Sequence, residues 1–368
     1  MLAAFSHAAA QDAGQVTRMC GAGIQPRTAA FAPHGMILTA FDSAALWVYD
    51  IDRNRRYPLP ETHPCGNNCR LSRDARWLAY PNGADFLKMR LDGTERTPLA
   101  ANANDVEWWS DDTLLVWTPQ HNAYLQSLGD DTPRAQLETD GAVSVQPGGY
   151  WGMTLAAHGD GFTRELVYLA DSTLPMPPIM LAEDVPYFNA STWSPDGQWL
   201  VYAAPHLYDT RVAIAGAELF GVRPDTGVPI QLTDLNALYG AVRINGHALG
   251  TLSWSPDSTR IAFWVIELLG SDYLSTTGSA VIHVLELATR HVTVYCGFST
   301  NEHTPNPPRL VWSPDGTHLA FGGNIPDDHR GYLLLALDTA TGVLTELSEG
   351  VFPIFGGADV VAWGLPPP

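Results

Sequence analysis

Lysine is almost missing from this chain. Lys88 stands beside nineteen arginines, and those twenty bases face 39 acids for a formal net charge of -19. A surface of that sign repels phosphate backbones, which argues against nucleic acid and anionic membranes as partners. It suits a protein partner with a basic surface, or divalent cations, and leaves a glycan as a further class of ligand. The acids are spread evenly, 22 in residues 1–184 and 17 in residues 185–368, so no acidic tail is present. Long hydrophobic runs are missing too: no stretch reaches the roughly 18 apolar residues of a membrane-crossing helix, and no transmembrane segment is expected. Several catalytic signatures are also absent, namely the G-x-S-x-G nucleophile elbow, the G-x-x-x-x-G-K-[ST] phosphate loop, H-E-x-x-H and the EF-hand loop.

What is present is a globular composition, 45% apolar and 16% charged, rich in Gly (33) and Pro (28). That mixture suits many short strands joined by tight turns better than long helices. The opening MLAAFSHAAAQDAG ends its apolar part on Ala8-Ala9-Ala10, like the end of a secretory leader, although it lacks a basic start. Four cysteines occur, at Cys20, Cys65, Cys69 and Cys296. In HPCGNNCR, Cys65 and Cys69 flank a turn-forming Gly-Asn-Asn, and a small-loop disulfide is the favoured reading. Two free thiols, or a zinc site that adds His63, are the alternatives. A bridge would place the chain in an oxidising compartment. The pairing of Cys20 and Cys296 stays open.

The chain repeats itself. STWSPDGQWLVY (191–202), LSWSPDSTRIAF (252–263) and LVWSPDGTHLAF (310–321) share one hairpin, anchored on Trp193, Trp254 and Trp312. Weaker copies put Phe31, Leu71, Trp109 and Val145 at the anchor, and Trp363 offers one more near the end. The successive spacings of 40, 38, 36, 48, 61, 58 and 51 residues match a four-stranded propeller blade, with insertions in the later copies. Each turn has a mechanism. Pro195, Pro256 and Pro314 pre-set the first turn position, and Asp196, Asp257 and Asp315 suit the second. Gly197 and Gly316 accept the left-handed conformation that closes the hairpin, where Ser258 would pay about 1 kcal/mol for the same geometry. These aspartates are read as turn formers and the tryptophans as inter-blade packing. After each turn the strand is apolar on both faces, as in Trp199-Leu200-Val201-Tyr202, which requires burial on both sides.

Four strands per copy and seven copies give an all-β, seven-bladed propeller over residues 28–349. Residues 1–27 form a leader or closing strand, and 350–368 a closing strand and tail. Eight blades, the last incomplete, is the alternative. The ends should meet, because an open ring leaves a raw sheet edge.

WSPDG followed by a short apolar strand resembles the repeat of TolB-like propellers, also found beneath the catalytic domain of prolyl-oligopeptidase-type peptidases. The chain has no nucleophile elbow and no α/β stretch large enough for a hydrolase, so the peptidase side of the resemblance is set aside. What remains implies a non-catalytic, periplasmic or extracellular protein-binding or scaffolding module without a cofactor. Oligogalacturonate lyases resemble it in repeat type and hold a metal near the axis. A metal-dependent polysaccharide lyase is therefore the alternative.

The later copies carry their extra length in the links between second and third strands and between blades. On a propeller those links share one face. Blades five to seven thereby gather His206, Tyr208, Asp209, Arg211, Tyr239, His247, Asp272, Tyr273, His303, Asp327, Asp328 and His329 as candidate binding residues. Long loops on a rigid scaffold are where recognition usually sits, and aromatics with arginine suit a protein or carbohydrate contact.

Overall fold

The structure is a computed structural model that describes residues 16–368 apart from 22, 41–44, 64, 66–67, 131–132, 138, 140–141, 159–160, 171–175, 185–189, 206–215, 246–251, 270–276, 301–306, 325–329, 331 and 350–359. Its strands form seven sheets, each built on antiparallel neighbours in an up-and-down order. Blade 5 shows the plan, running from the axis outward through Ser191–Trp193, Leu200–Pro205, Ala217–Val222 and Ile230–Gln231. Blades 2, 3 and 4 follow it with inner strands Arg70–Leu71, Asp105–Trp108 and Ala142–Val145. In blade 6 two short segments, Val242–Ile244 and Ser253–Trp254, share the inner position and both pair with Arg260–Leu268. Blade 7 runs from Val311–Trp312 outward to Leu344–Glu349.

The hydrophobic core is divided among the gaps between blades. Seven separate clusters of buried residues each join one neighbouring pair, and together they go round the whole circle. Leu38 and Leu78 share the cluster between blades 1 and 2, Leu219 and Phe263 that between 5 and 6, and Ile37 and Ala336 that between 7 and 1. This radial stacking explains the unbroken apolar strands: Leu200, Val201 and Tyr202 are all 0% exposed because neighbouring residues point into opposite gaps.

Reading the repeat in chain order puts Phe31 at the head of the first blade, and the structure differs there. Phe31 lies in coil and packs against the cluster between blades 7 and 1. The inner strand of blade 1 is Val360–Gly364, paired antiparallel with Met36–Ala40 in the register Ile37–Trp363. The Trp363 strand thus completes the first sheet and starts no eighth. Joining the two ends of the chain within one sheet closes the wheel with ladder hydrogen bonds as well as packing.

The N-terminal segment has another place. Val16–Met19 pairs parallel with the outer strand His291–Thr300 of blade 6, and Ile24–Pro26 pairs parallel with Leu344–Glu349 of blade 7. A disulfide joins Cys20 to Cys296 where the segment passes between them, 276 residues apart in sequence. The second bridge is Cys65–Cys69. With both sulfurs bonded to each other, neither is a thiolate for zinc, and His63 Nδ1 lies 2.8 Å from the Tyr80 hydroxyl.

Candidate functional site

The two ends of the wheel differ. One carries the short turns, and their hydrogen bonds are specific. In Ser313-Pro314-Asp315-Gly316 the Ser313 hydroxyl donates to Asp315 Oδ1 at 2.6 Å and accepts the His318 amide at 2.9 Å. Asp315 also accepts the Thr317 amide at 3.0 Å. Ser194–Asp196 and Ser255–Asp257 repeat the pattern, and so do Ser72–Asp74 in blade 2 and, in part, Ser110–Asp112 in blade 3. Ser-x-Asp thus outlasts tryptophan in the Leu71 copy, whereas the Phe31 and Val145 copies, with Ala-Pro-His and Gln-Pro-Gly at those positions, have lost both. Although burial alone would raise the Asp315 carboxyl, the Ser313 and Thr317 donors hold it below its ordinary range. These groups are spent on the turn.

The tryptophans link neighbouring blades. Trp254 Nε1 donates to Thr192 O at 3.4 Å and Trp312 Nε1 to Ser253 O at 2.9 Å, each on the preceding inner strand. In blade 3 the equivalent bond comes from Trp108, to Arg70 O at 3.1 Å, whereas Trp109 reaches forward to Gly149 O at 2.9 Å. Trp193, Trp254, Trp312 and Trp363 also wall an axial cavity of about 730 Å³ that opens among the short turns. Two of its lining arginines bond within the wheel. Arg70 pairs with Asp105 at 2.6 Å, and Arg73 donates to Trp109 O at 2.7 Å. Burial raises Asp105 to about 6 against the pull of Arg70.

At the other end the strands that flank the long links stop and restart, as Leu200–Pro205 does with Ala217–Val222 and Arg260–Leu268 with Thr277–Glu286. Of the candidate residues, His206, Tyr208, Asp209, Arg211, His247, Asp272, Tyr273, His303, Asp327, Asp328 and His329 lie outside the described residues. Tyr239 is described. It ends a short helix, Leu235–Tyr239, in the link between blades 5 and 6, and is 36% exposed. Leu238 beside it is 49% exposed, and Leu269, just past the end of Arg260–Leu268, is 63% exposed. The pairing of Val242 with Glu267 brings the helix end and Leu269 to the same end of blade 6.

Beneath Tyr239 lies a buried histidine. The register lays Phe263, His283, Val294 and Arg18 in one row across blade 6. His283 Nδ1 sits 2.9 Å from Val281 O, which can only accept, so Nδ1 carries the proton and Nε2 accepts the Tyr239 hydroxyl at 3.0 Å. Burial, reinforced by the nearby Arg18 cation, pushes His283 down to about 4 despite the carbonyl bond. The same helix is held from below by Glu218, 0% exposed, whose carboxylate accepts the Thr233 hydroxyl at 2.6 Å and the Leu235 and Asn236 amides at 2.8 Å each. Burial raises its carboxyl even against those donors. Sequence reasoning passed over His283 and Glu218. Their signal was a lone polar residue inside an apolar run, AVIHVL and AELFGV.

Among the described residues no group of three or more His, Cys, Asp or Glu is placed to hold a metal ion. No protein-family model matches the chain, and no curated relative matches it by sequence. Solved structures do resemble it. TolB from Acinetobacter baumannii aligns over 91% of this chain and 67% of its own, at 13% identity and a TM-score of 0.46. A putative TolB from Agrobacterium tumefaciens aligns over 92% of this chain and 99% of its own, at 15% identity and 0.42. A puromycin hydrolase aligns over 92% of this chain and 58% of its own, at 15% identity and 0.48. Likenesses this distant carry no argument about activity, and the propeller assignment rests on the seven sheets themselves.

Proposed function

We propose that this chain is a non-catalytic, TolB-like binding or scaffolding module that engages a protein partner through the long-link face of blades 5 to 7. The observation that carries the reading is the exposed trio Leu238, Tyr239 and Leu269 at that face, the first two on a helix held by Glu218 and His283. Apolar and aromatic groups held rigidly beside long loops are what a protein interface needs at its centre. The opposite face offers less, because its Ser-x-Asp groups, Arg70 and Arg73 already bond within the wheel. The charge of -19 favours a partner with a basic surface, joined faster at low salt. Two disulfides are in keeping with a periplasmic or extracellular place.

The test is a double substitution, Leu238→Asp with Leu269→Asp. Both side chains are exposed, so the melting temperature should hold while the affinity for a purified partner falls at least about tenfold. Unchanged affinity would put recognition elsewhere on the wheel. A metal-dependent lyase gains no support from the described residues, where no metal-binding group occurs.

A further inference from the structure

The N-terminal segment lies outside the wheel. Its strands are short, four and three residues, and mostly exposed, with Val16, Met19 and Ile24 alone packed against the core clusters. It nevertheless covers the outer edges of two adjacent blades, capping part of His291–Thr300 and of Leu344–Glu349. The crossing between them is built to close tolerances. A Cβ on Gly21 would sit 2.5 Å from Gly342 O, and one on Gly342 would sit 3.0 Å from Met19 Cβ. At that crossing stands the Cys20–Cys296 bridge, and both cysteines are exposed. Cys65 and Cys69, by contrast, are 8% and 3% exposed. The segment's far end is tied down separately, since Arg27 donates to the Tyr49 hydroxyl at 3.0 Å and to Ile51 O at 2.6 Å.

We infer that Cys20–Cys296 is a thiol-exchange site that locks residues 16–26 as a strap over blades 6 and 7, and that a small-molecule or protein dithiol releases it. The reaction balances. One thiolate of the dithiol bonds to a bridge sulfur, the Sγ–Sγ bond breaks, and the other cysteine leaves as a thiolate and takes a proton. The second thiolate then attacks the mixed disulfide, giving the oxidised dithiol and two protein thiols. Without the bridge, seven residues of pairing and three half-buried side chains must hold the strap, while Arg27 keeps its base attached. Released, it uncovers backbone donors and acceptors along two neighbouring edges. The inference is independent of what the long-link face binds.

The test treats the folded, oxidised chain with dithiothreitol at neutral pH without denaturant, then alkylates and maps the free thiols. Cys20 and Cys296 should label at least about tenfold faster than Cys65 and Cys69. Trypsin should then cut after Arg18 in the reduced protein and not in the oxidised one, with the far-ultraviolet circular dichroism unchanged. The double variant Cys20→Ser, Cys296→Ser should be cut there without reductant. Equal labelling of the two bridges, resistance of Arg18 after full reduction, or loss of the β-sheet spectrum on reduction would each overturn the assignment.

Discussion

Acidification should cost this protein stability through His283 in a window that can be worked out beforehand. In the unfolded chain an imidazole titrates near 6.5, and in the folded wheel burial lowers His283 to about 4. The folded state therefore binds fewer protons between those values. The contribution of the neutral ring is complete above about pH 6.5, declines as pH falls toward 4, and is constant below that. At about 1.4 kcal/mol per pH unit, a shift of that size is worth about 3 kcal/mol. Among the described residues, no group near the ring offers relief: Tyr239, Phe263, Val281 and Val294 are uncharged, and Arg18 at the end of the row is a cation. Carboxylates titrate in the same window, so the comparison has to be with a variant. His283→Gln keeps an acceptor for the Tyr239 hydroxyl and cannot take a proton. Urea unfolding of both proteins from about pH 7.5 to 4 should show His283→Gln weaker at neutral pH, with the gap narrowing by about 3 kcal/mol as the pH falls. Parallel curves for the two proteins would refute the reasoning, because the buried neutral ring would then make no pH-dependent contribution.

Ala75 occupies the turn position of Gly197 and Gly316 with φ at +57°, so Ala75→Gly should raise stability by about 1 kcal/mol, read as a higher melting temperature. The reverse exchange, Gly197→Ala, puts a Cβ 2.2 Å from Pro147 O and should cost at least about 2 kcal/mol on the same assay. Glu218→Ala leaves the Thr233 hydroxyl and two helix amides without their acceptor and should cost about 3 kcal/mol in urea unfolding, with faster amide exchange at Leu235 and Asn236. Trp312→Phe removes the indole bond to Ser253 O and weakens the stacking of Arg260, now at 4.7 Å, for a loss of about 1–2 kcal/mol; Trp109, whose indole bonds forward to Gly149 O, should show only part of that loss on the same exchange.

Much of the wheel was legible because its signals are local. Ser-Pro-Asp-Gly forces a turn wherever it stands, and an apolar run between such turns reports burial on both faces without any knowledge of neighbours. The spacing of those hairpins then fixed the blade count. What escaped was non-local. Nothing near Phe31 says that the inner strand of its blade comes from Val360–Gly364, because that pairing depends on where the circle closes. Likewise nothing near Cys20 points to Cys296, 276 residues on. The Ser-x-Asp pattern of Ser72–Asp74 was present in the sequence but masked by the more conspicuous tryptophans. On the long-link face, Tyr239 was singled out for the chemistry of its ring, and the structure adds the His283 acceptor that orients it.

On the proposed function, the repeated hairpins are consumed in holding the wheel together and recognition is left to the long-link face. Site-specific photo-crosslinking tests it most directly, with the reactive group placed at Leu238 or Leu269 on one face and at Gln198 or Thr259 among the short turns of the other, in extract from the source cells. Adducts from Leu238 and Leu269 with one defined protein, and none from Gln198 and Thr259, are the expected result. Adducts from the short-turn positions alone would contradict it.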